Sequence, residues 1–174
     1  MHKALFLDRD GVINVEKNYL HKIEDVEFVE GIFDLCKYFQ EKKYKIIVVT
    51  NQSGIARQYY NENDLEKLSL WMVEQFKEQG IEIVQIYYCP HHPDISGECD
   101  CRKPNPGMLL QAAEEHDIDL KNSIMIGDKE RDIEAGFNAG LQTAYLFDES
   151  KKIKTSKATE IVSTLKEIID VDSQ

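Results

Sequence analysis

The sequence is short of basic residues, of proline and of long apolar runs. Its 174 residues include 21 Lys and Arg against 32 Asp and Glu, which gives a formal net charge of −11. This acidic balance argues against nucleic acid or an anionic membrane as the main partner, because both require a basic surface. Only four prolines, beside 42% hydrophobic residues, indicate a packed globule and exclude a disordered chain.

The apolar run Ala4–Leu7 ends at Asp8, and it is far too short for a secretory segment or a membrane span. We therefore expect no targeting segment and a cytoplasmic protein with reduced thiols. The length predicts a single domain over residues 1–174, and we expect a monomer.

Short apolar runs alternate along the chain with segments of helical periodicity. The predicted strands are 3–7, 45–49, 81–88, 123–126 and 143–147, and the predicted helices include 32–40, 65–76, 107–116 and 130–138. This order predicts an α/β fold of three layers with a mostly parallel central sheet. An apolar stripe from Ile161 to Ile169 predicts a C-terminal helix over about 157–170. We expect this helix to pack on the core, and a dimer contact is the alternative.

Polar clusters follow four of the predicted strands. They read DRDG from residue 8, TNQSG from residue 50, CPHH from residue 89 and GDKERD from residue 127. Ligands of such sheets bind outside the carboxyl ends of the strands. We therefore expect all four clusters to lie at one edge of the sheet.

Two carboxylates separated by one residue, Asp8 and Asp10, support nucleophilic and acid/base chemistry around a divalent cation. An EF-hand loop is excluded because Ile13 and Tyr19 stand where it requires Gly and Glu. A solvated turn is the other alternative for the pair.

The acids Asp128 and Asp132 have the spacing of adjacent helical turns. Asp128 can join Asp8 around Mg²⁺, and Asp132 can reach back from the next turn. The alternative is that both complement the dipole at a helix N-terminus.

The stretch from Thr50 to Gly54 offers a hydroxyl and several N–H donors of the kind that bind phosphate. Arg102 and Lys103 supply the fixed positive charge that a transferring phosphoryl group requires. Solvated surface charge is the alternative for this pair.

Cys89, His91, Cys99 and Cys101 form a tetrahedral ligand set for a structural Zn²⁺ in a loop over about 89–103. His91 is preferred to His92 because its Cys-x-His spacing mirrors the Cys-x-Cys pair. Four protein ligands leave no open position, so we expect the ion to stiffen the loop and to orient Arg102 and Lys103. Ordinary reduced cysteines are the alternative.

In this order the clusters resemble the four motifs of the haloacid dehalogenase (HAD) superfamily of phosphatases. The segments DRDGVIN, VVTNQSGIAR, CPHH with CxCRKPxPGM, and GDKxxD are similar to sugar-bisphosphate phosphatases of heptose synthesis and to histidinol-phosphatase domains. The resemblance spans about residues 3–147. Asn18 departs from the pattern, since the family commonly has glycine there.

The resemblance implies that Asp8 is the nucleophile and Asp10 the general acid and base. It implies that Thr50 and Lys103 stabilise the phosphoryl group, and that Mg²⁺ is held by Asp8, the main-chain carbonyl of Asp10, and Asp128. The implied substrate-binding residues are Glu16, Lys17, Asn18, Tyr19, Asn51, Gln52, Ser53, Arg102 and Lys129.

The implied activity is Mg²⁺-dependent removal of the 7-phosphate of D-glycero-D-manno-heptose 1,7-bisphosphate through an aspartyl-phosphate. The product would serve a lipopolysaccharide-type ADP-heptose or a GDP-heptose pathway. Histidinol phosphate is the alternative substrate, and a non-catalytic phosphate binder or signalling receiver is the alternative of another class. The intervals between the motifs leave no room for a separate cap domain, so an open site is expected.

Overall fold

The computed structural model describes residues 1–174 and contains one six-stranded sheet with helices on both faces. The strands are β1 (Lys3–Leu7), β2 (Tyr44–Asn51), β3 (Ile83–Cys89), β4 (Ile124–Gly127), β5 (Thr143–Phe147) and β6 (Glu160–Val162). The helices are α1 (Ile32–Glu41), α2 (Glu62–Glu78), α3 (Pro93–Ser96), α4 (Gly107–His116), α5 (Glu130–Ala139) and α6 (Leu165–Asp172).

The sheet has the strand order β3-β2-β1-β4-β5-β6, and every neighbouring pair is parallel. β1 lies inside the sheet, where Leu5 pairs with Ile46 of β2 on one side and with Ile124 of β4 on the other. The predicted α/β fold with a parallel sheet is confirmed. All carboxyl ends of the strands therefore lie at the same edge.

Successive residues of β1 enter two separate hydrophobic cores, because side chains alternate between the faces of a strand. Leu5 and Leu7 join the core beneath α1 and α6, whereas Ala4 and Phe6 join the core beneath α4 and α5. All four side chains are fully buried. This two-sided burial explains the continuous apolar run in the sequence and gives the fold its three layers.

The C-terminal segment corrects the prediction of one helix over about 157–170. Its first part is the edge strand β6, whose Ile161 pairs with Leu146 of β5, and helix α6 begins only at Leu165. The side chain of Thr164 caps this helix by accepting a hydrogen bond from the main-chain N–H of Glu167. Leu165 lies in the core, as the packing prediction required.

The two long connections at the edge formed by the carboxyl ends of the strands contain little regular structure. The segment between β1 and α1 holds one 3₁₀ turn, Ile23–Asp25, and the segment between β3 and α4 holds only the four-residue helix α3. None of the helices combines the length and the apolar character needed to cross a membrane.

Candidate active site

The polar clusters that follow the strands meet at one edge of the sheet, as the sequence predicts. Asp8 follows β1, Asn51 ends β2, and Asp128 follows β4. They surround a cavity of about 250 Å³. The cavity brings together twelve residues of the predicted site: Asp8, Asp10, Glu16, Asn18, Tyr19, Asn51, Gln52, Ser53, Arg102, Lys103, Asp128 and Lys129.

Two predicted residues do not line the cavity. Lys17 points to the protein surface, where its ammonium donates to the main-chain oxygen of Asp25 and lies 3.5 Å from a carboxylate oxygen of Glu27. Thr50 is buried behind Gln52, whose amide donates to the Thr50 hydroxyl at 2.9 Å. A direct role for either residue in catalysis or binding stays a prediction.

A buried lysine lies at the floor of the cavity. The Nζ atom of Lys103 is 2.9 Å from Oδ1 of Asp8, 2.8 Å from Oδ1 of Asp132 and 2.8 Å from the main-chain oxygen of Val49. Burial disfavours the ammonium, but the carboxylates of Asp132 and Asp8 outweigh this effect and raise the pKa of Lys103. Lys103 is therefore a fixed positive charge beside the predicted nucleophile.

Three carboxylates converge beside this ammonium. Oxygen atoms of Asp8, Asp128 and Asp132 all lie within 4.8 Å of one another. Lys103 and the half-exposed Lys129, whose ammonium lies 3.8 Å from Oδ2 of Asp128, offset part of this charge, but the three acids remain crowded in a poorly solvated place. Burial, followed by the charge of Asp132, raises the pKa of Asp8 well above its usual range and that of Asp128 to about 6.

This donor set fits Mg²⁺, which prefers carboxylate oxygens and often uses one or two carboxylates of a protein. Apart from the Lys103 ammonium, Oδ1 of Asp132 has no polar partner although it is buried. A divalent cation would neutralise the excess charge of the cluster. The residues that would hold it include Asp8 and Asp128, as the sequence predicts.

Glycine at position 11 permits this crowding. Its φ of +88° lies in the left-handed region that favours glycine. A Cβ atom placed on Gly11 would lie 2.1 Å from Oδ2 of Asp128. Gly11 of the DxDG motif therefore leaves the space that the carboxylate of Asp128, in the GDxxD motif, occupies.

The carboxylate of Asp10 is oriented by three donors. Arg9 and Asn14 donate to Oδ1 at 3.0 Å, and Gln52 donates to Oδ2 at 3.1 Å. Arg9 is itself buried and also donates to the main-chain oxygen of Leu20 at 2.8 Å. Asp10 thus lies at the cavity wall in a fixed orientation, close to Asp8 but outside the carboxylate cluster.

Asn51 and Gln52, which follow Thr50, form hydrogen bonds with other residues of the cavity. The Asn51 side chain accepts a hydrogen bond from the main-chain N–H of Lys103 at 3.0 Å and donates to its carbonyl at 3.3 Å. Gln52 accepts a hydrogen bond from the hydroxyl of Tyr60. Burial raises the pKa of Tyr60 to about 12, so this hydroxyl stays protonated. Asn51 and Gln52 therefore position Lys103 and Asp10 in addition to lining the cavity.

The segment that contains Asn18 and Tyr19 has an unusual backbone. Both residues have positive φ angles, of 38° and 60°. Asparagine tolerates this region better than other non-glycine residues, which explains how it can stand where the family commonly has glycine. Asn18 is thus compatible with the turn that brings Tyr19 to the cavity.

Four cavity residues are absent from the sequence-based list: Arg57, Tyr60, His92 and Arg131. Arg57 and His92 lie inside motifs that carry the resemblance, so their positions alone were a usable signal. Arg131 likewise lies inside the GDKERD cluster, at a position that the GDKxxD motif leaves unspecified. Burial, followed by the neighbouring charges of Arg131 and Arg57, lowers the pKa of Arg102. These guanidinium groups therefore form a cationic cluster suited to an anion.

The cysteine loop agrees only in part with the predicted zinc set. The sulfur atoms of Cys89, Cys99 and Cys101 lie within 4.8 Å of one another, but the ring of His91 is not part of this group. Contrary to the expectation of reduced thiols, Cys89 and Cys101 are joined as a disulfide. Thiolate sulfur is a preferred ligand of Zn²⁺, but a disulfide removes two of the ligands.

Comparison with known proteins assigns the class of the molecule. Residues 100–168 match the sequence model of the HAD-hydrolase-like family. The fold superimposes with a TM-score of 0.86 on D,D-heptose 1,7-bisphosphate phosphatase from B. bronchiseptica, solved with magnesium and phosphate. The two chains are 28% identical, and the match covers 99% of this chain and 98% of that one. The fold and the site define a hydrolase of the HAD superfamily.

Curated relatives give the family within this class. D-glycero-alpha-D-manno-heptose-1,7-bisphosphate 7-phosphatase of Campylobacter jejuni is 55% identical over 150 residues, which are 86% of this chain and 85% of that protein. The corresponding beta-named phosphatase of Helicobacter pylori strain 26695 is 46% identical over 171 residues, with 98% and 97% covered. The chain belongs to the family of D-glycero-D-manno-heptose-1,7-bisphosphate 7-phosphatases.

Proposed function

We propose that this chain hydrolyses the 7-phosphate of D-glycero-D-manno-heptose 1,7-bisphosphate. The observation that carries the proposal is the buried cluster at the cavity floor, where Asp8 adjoins Lys103 and the carboxylates of Asp128 and Asp132. A nucleophile, a fixed cation and a divalent-cation site are the three parts that phosphoryl transfer to a carboxylate requires. The named relatives favour the heptose bisphosphate over histidinol phosphate.

In the proposed reaction an oxygen of Asp8 attacks phosphorus and forms an aspartyl-phosphate, while Asp10 protonates the departing sugar oxygen. Asp10 then accepts a proton from a water that attacks phosphorus, which releases inorganic phosphate and restores Asp8. The three donors on Asp10 hold its carboxylate ready for both transfers. Lys103 orients Asp8 and offsets charge on the phosphoryl oxygens.

Asp8, Asp128 and the main-chain carbonyl of Asp10 would hold Mg²⁺. When bound, the ion neutralises the carboxylates and lowers the charge that opposes an incoming phosphate.

The outer part of the cavity suits the remainder of the substrate. Glu16 and Tyr19 line the cavity and can contact hydroxyl groups of the sugar, and Arg102 and Lys129 offer positive charge to its other phosphate. We propose that these residues recognise the heptose, and that Asn18 and Ser53 complete the walls.

For the cysteine loop, we propose that reduction of the Cys89–Cys101 pair frees three thiolates to bind Zn²⁺, with His91 as the fourth ligand. This requires the His91 ring to turn toward the sulfur atoms. The ion would stiffen the loop that carries Arg102 and Lys103.

At the level of the whole chain, we propose one phosphatase domain over residues 1–174 that works as a cytoplasmic monomer on a small molecule. No partner nucleic acid or membrane is part of the proposal. The segment between β1 and α1 holds one 3₁₀ turn and the segment between β3 and α4 holds one four-residue helix, which supports a site open to solvent without a cap domain. The product would enter heptose-nucleotide synthesis.

The proposal is tested by phosphate release from both anomers of the heptose bisphosphate and from histidinol phosphate. We expect Mg²⁺-dependent turnover of a heptose bisphosphate with the higher kcat/KM, and a loss of at least about 10³-fold in Asp8→Asn. Asp117→Asn is the control, since Asp117 pairs with the amino terminus of Met1 and does not line the cavity. Faster turnover of histidinol phosphate, or full activity of Asp8→Asn, would overturn the assignment.

A further inference from the structure

A short segment after β2 packs against the turn formed by residues 18–21, which carries Tyr19. We call residues 57–60 the brace. The ring of Tyr59 meets the ring of Tyr19 nearly edge-on, with 4.8 Å between centroids and 72° between planes. The ring of Tyr60 stacks on His21, with 4.9 Å between centroids and 11° between planes. Two successive brace residues therefore contact two residues of the turn.

The brace also holds the turn through Arg57. The guanidinium carbon of Arg57 lies 5.9 Å from the centre of the Tyr19 ring, within the range of a cation–π contact. Its Nη2 atom lies 3.1 Å from Nε2 of His92 in the cysteine loop. Arg57 thus connects two walls of the cavity that no regular structure joins.

The other end of the brace is fixed at the site itself. The hydroxyl of Tyr60 donates to Gln52, and Gln52 in turn donates to Asp10 and Thr50. Tyr60 is 6% exposed. The brace is consequently anchored at the carboxyl end of β2. The backbone of the turn is held by a hydrogen bond between the His21 ring and the Tyr19 carbonyl and by Arg9 at the carbonyl of Leu20, and the brace adds contacts to its side chains.

Tyr19 needs such support. It follows Asn18 in a pair of positive φ angles, a conformation that non-glycine residues populate poorly by themselves. Its side chain is 41% exposed and lines the cavity. Hydrogen bonds fix the backbone at Tyr19, whereas the contacts of its ring come from Tyr59 and Arg57.

We propose that Tyr59 is a positioning residue for substrate recognition. Tyr59 is 55% exposed and does not line the cavity, so its contribution is made through Tyr19. It holds the Tyr19 ring in a position to contact the sugar end of the substrate. This inference rests on the proposed function, because it requires a substrate long enough to reach Tyr19.

The test compares Tyr59→Ala and Tyr59→Phe with the wild-type enzyme. For D-glycero-D-manno-heptose 1,7-bisphosphate we expect Tyr59→Ala to raise KM about fivefold, with kcat within about twofold, since an edge-on aromatic pair is worth about 1 kcal/mol. Tyr59→Phe keeps the ring and should restore the wild-type KM. For p-nitrophenyl phosphate, which has neither the sugar nor the second phosphate, kcat/KM should be the same in all three proteins.

Tyr88→Ala is the matched control, because Tyr88 is an exposed tyrosine whose hydroxyl donates to Glu62, away from the cavity. Equal KM values for wild type and Tyr59→Ala would overturn the inference and leave the proposed function standing. Equal losses with both substrates would also overturn it, since they would show a general structural role. Failure of the wild type to hydrolyse the heptose bisphosphate would overturn the proposed function and the inference with it.

Discussion

At the scale of single residues, the floor of the site holds more carboxylates than the buried ammonium beside them can neutralise. Lys103 is 2% exposed and touches two of the three converging carboxylates. A buried ammonium is costly unless it is paired, and here the pairing is more than complete. The excess negative charge falls on Asp8 and Asp128, whose pKa values are raised, chiefly by burial. Ionisation of these two carboxylates therefore lowers the stability of the cation-free protein, at the place where we propose that Mg²⁺ binds.

Substitution Asp128→Asn should make this cost measurable. The pKa of Asp128 is raised from 3.8 to about 6 in the folded chain, so its ionisation destabilises the fold as pH rises from about 4 to 6. With EDTA at pH 7.5 we expect the variant to exceed the wild type in unfolding free energy by about 3 kcal/mol. At pH 4 the difference should vanish, and Mg²⁺ should stabilise only the wild type. Urea unfolding at both pH values measures this.

The control for this experiment is Asp94→Asn, whose parent side chain is 89% exposed. It should match the wild type in unfolding free energy at both pH values. A pH-independent difference between wild type and Asp128→Asn would contradict the assignment of the cost to Asp128 ionisation.

At the scale of elements, two loops decide the shape of the site and one C-terminal segment decides the edge of the sheet. The segment 160–172 reads as one amphipathic stripe because Ile161 and Val162 happen to keep helical spacing with Leu165. In the fold, residues 160–162 pair with β5, and helix α6 begins directly after its cap residue Thr164. A cap residue inside a periodic stripe was the signal for two elements.

The cysteine loop carries the element-scale prediction. Protein purified with a reductant should contain about one Zn²⁺ per chain, and Cys99→Ser should contain far less, because removing one thiolate breaks the tetrahedral set. Elemental analysis and a thiol assay measure both states. Cys36→Ala is the control, since Cys36 is buried in the core away from the loop, and it should retain the metal. Reduced wild-type protein without zinc would contradict the proposal.

At the scale of the whole molecule, the formal charge of −11 opposes a substrate with two phosphates. Five of the 21 basic residues nevertheless line the cavity: Arg57, Arg102, Lys103, Lys129 and Arg131. Exposed charges farther away than the Debye length, about 10 Å at 0.1 M salt, contribute little to the potential in the site. The local cluster should therefore govern substrate capture.

Salt dependence distinguishes the local field from the global one. As NaCl rises from about 20 to about 300 mM at constant free Mg²⁺, we expect kcat/KM for the heptose bisphosphate to fall, because salt screens the attraction of the cationic cluster. Arg131→Gln should show a shallower slope. An increase of kcat/KM with salt would show instead that repulsion by the acidic surface limits the reaction. Steady-state kinetics under these conditions are sufficient.

The sequence by itself determined the order of strands β1 to β5 and of the helices α1, α2, α4 and α5, the parallel sheet and most residues of the cavity. It could do so because buried parallel strands need continuous apolar runs, and because polar residues directly after such strands must meet at one edge. Asp8 and Asp128 were found in this way, and their positions in the sequence already indicated where their side chains would lie. Lys103 follows no strand directly; its basic side chain beside the cysteine loop and the family resemblance indicated it.

Only the tertiary structure decided which side chains support the site from outside the motifs. Tyr59 and Tyr60 follow no periodicity that distinguishes them from surface residues, and their contacts depend on how separate loops pack together. The same holds for Lys17, which turns outward to Asp25 although its neighbours line the cavity. Alternation along a strand can be read from a sequence, but packing between irregular loops exists only in three dimensions.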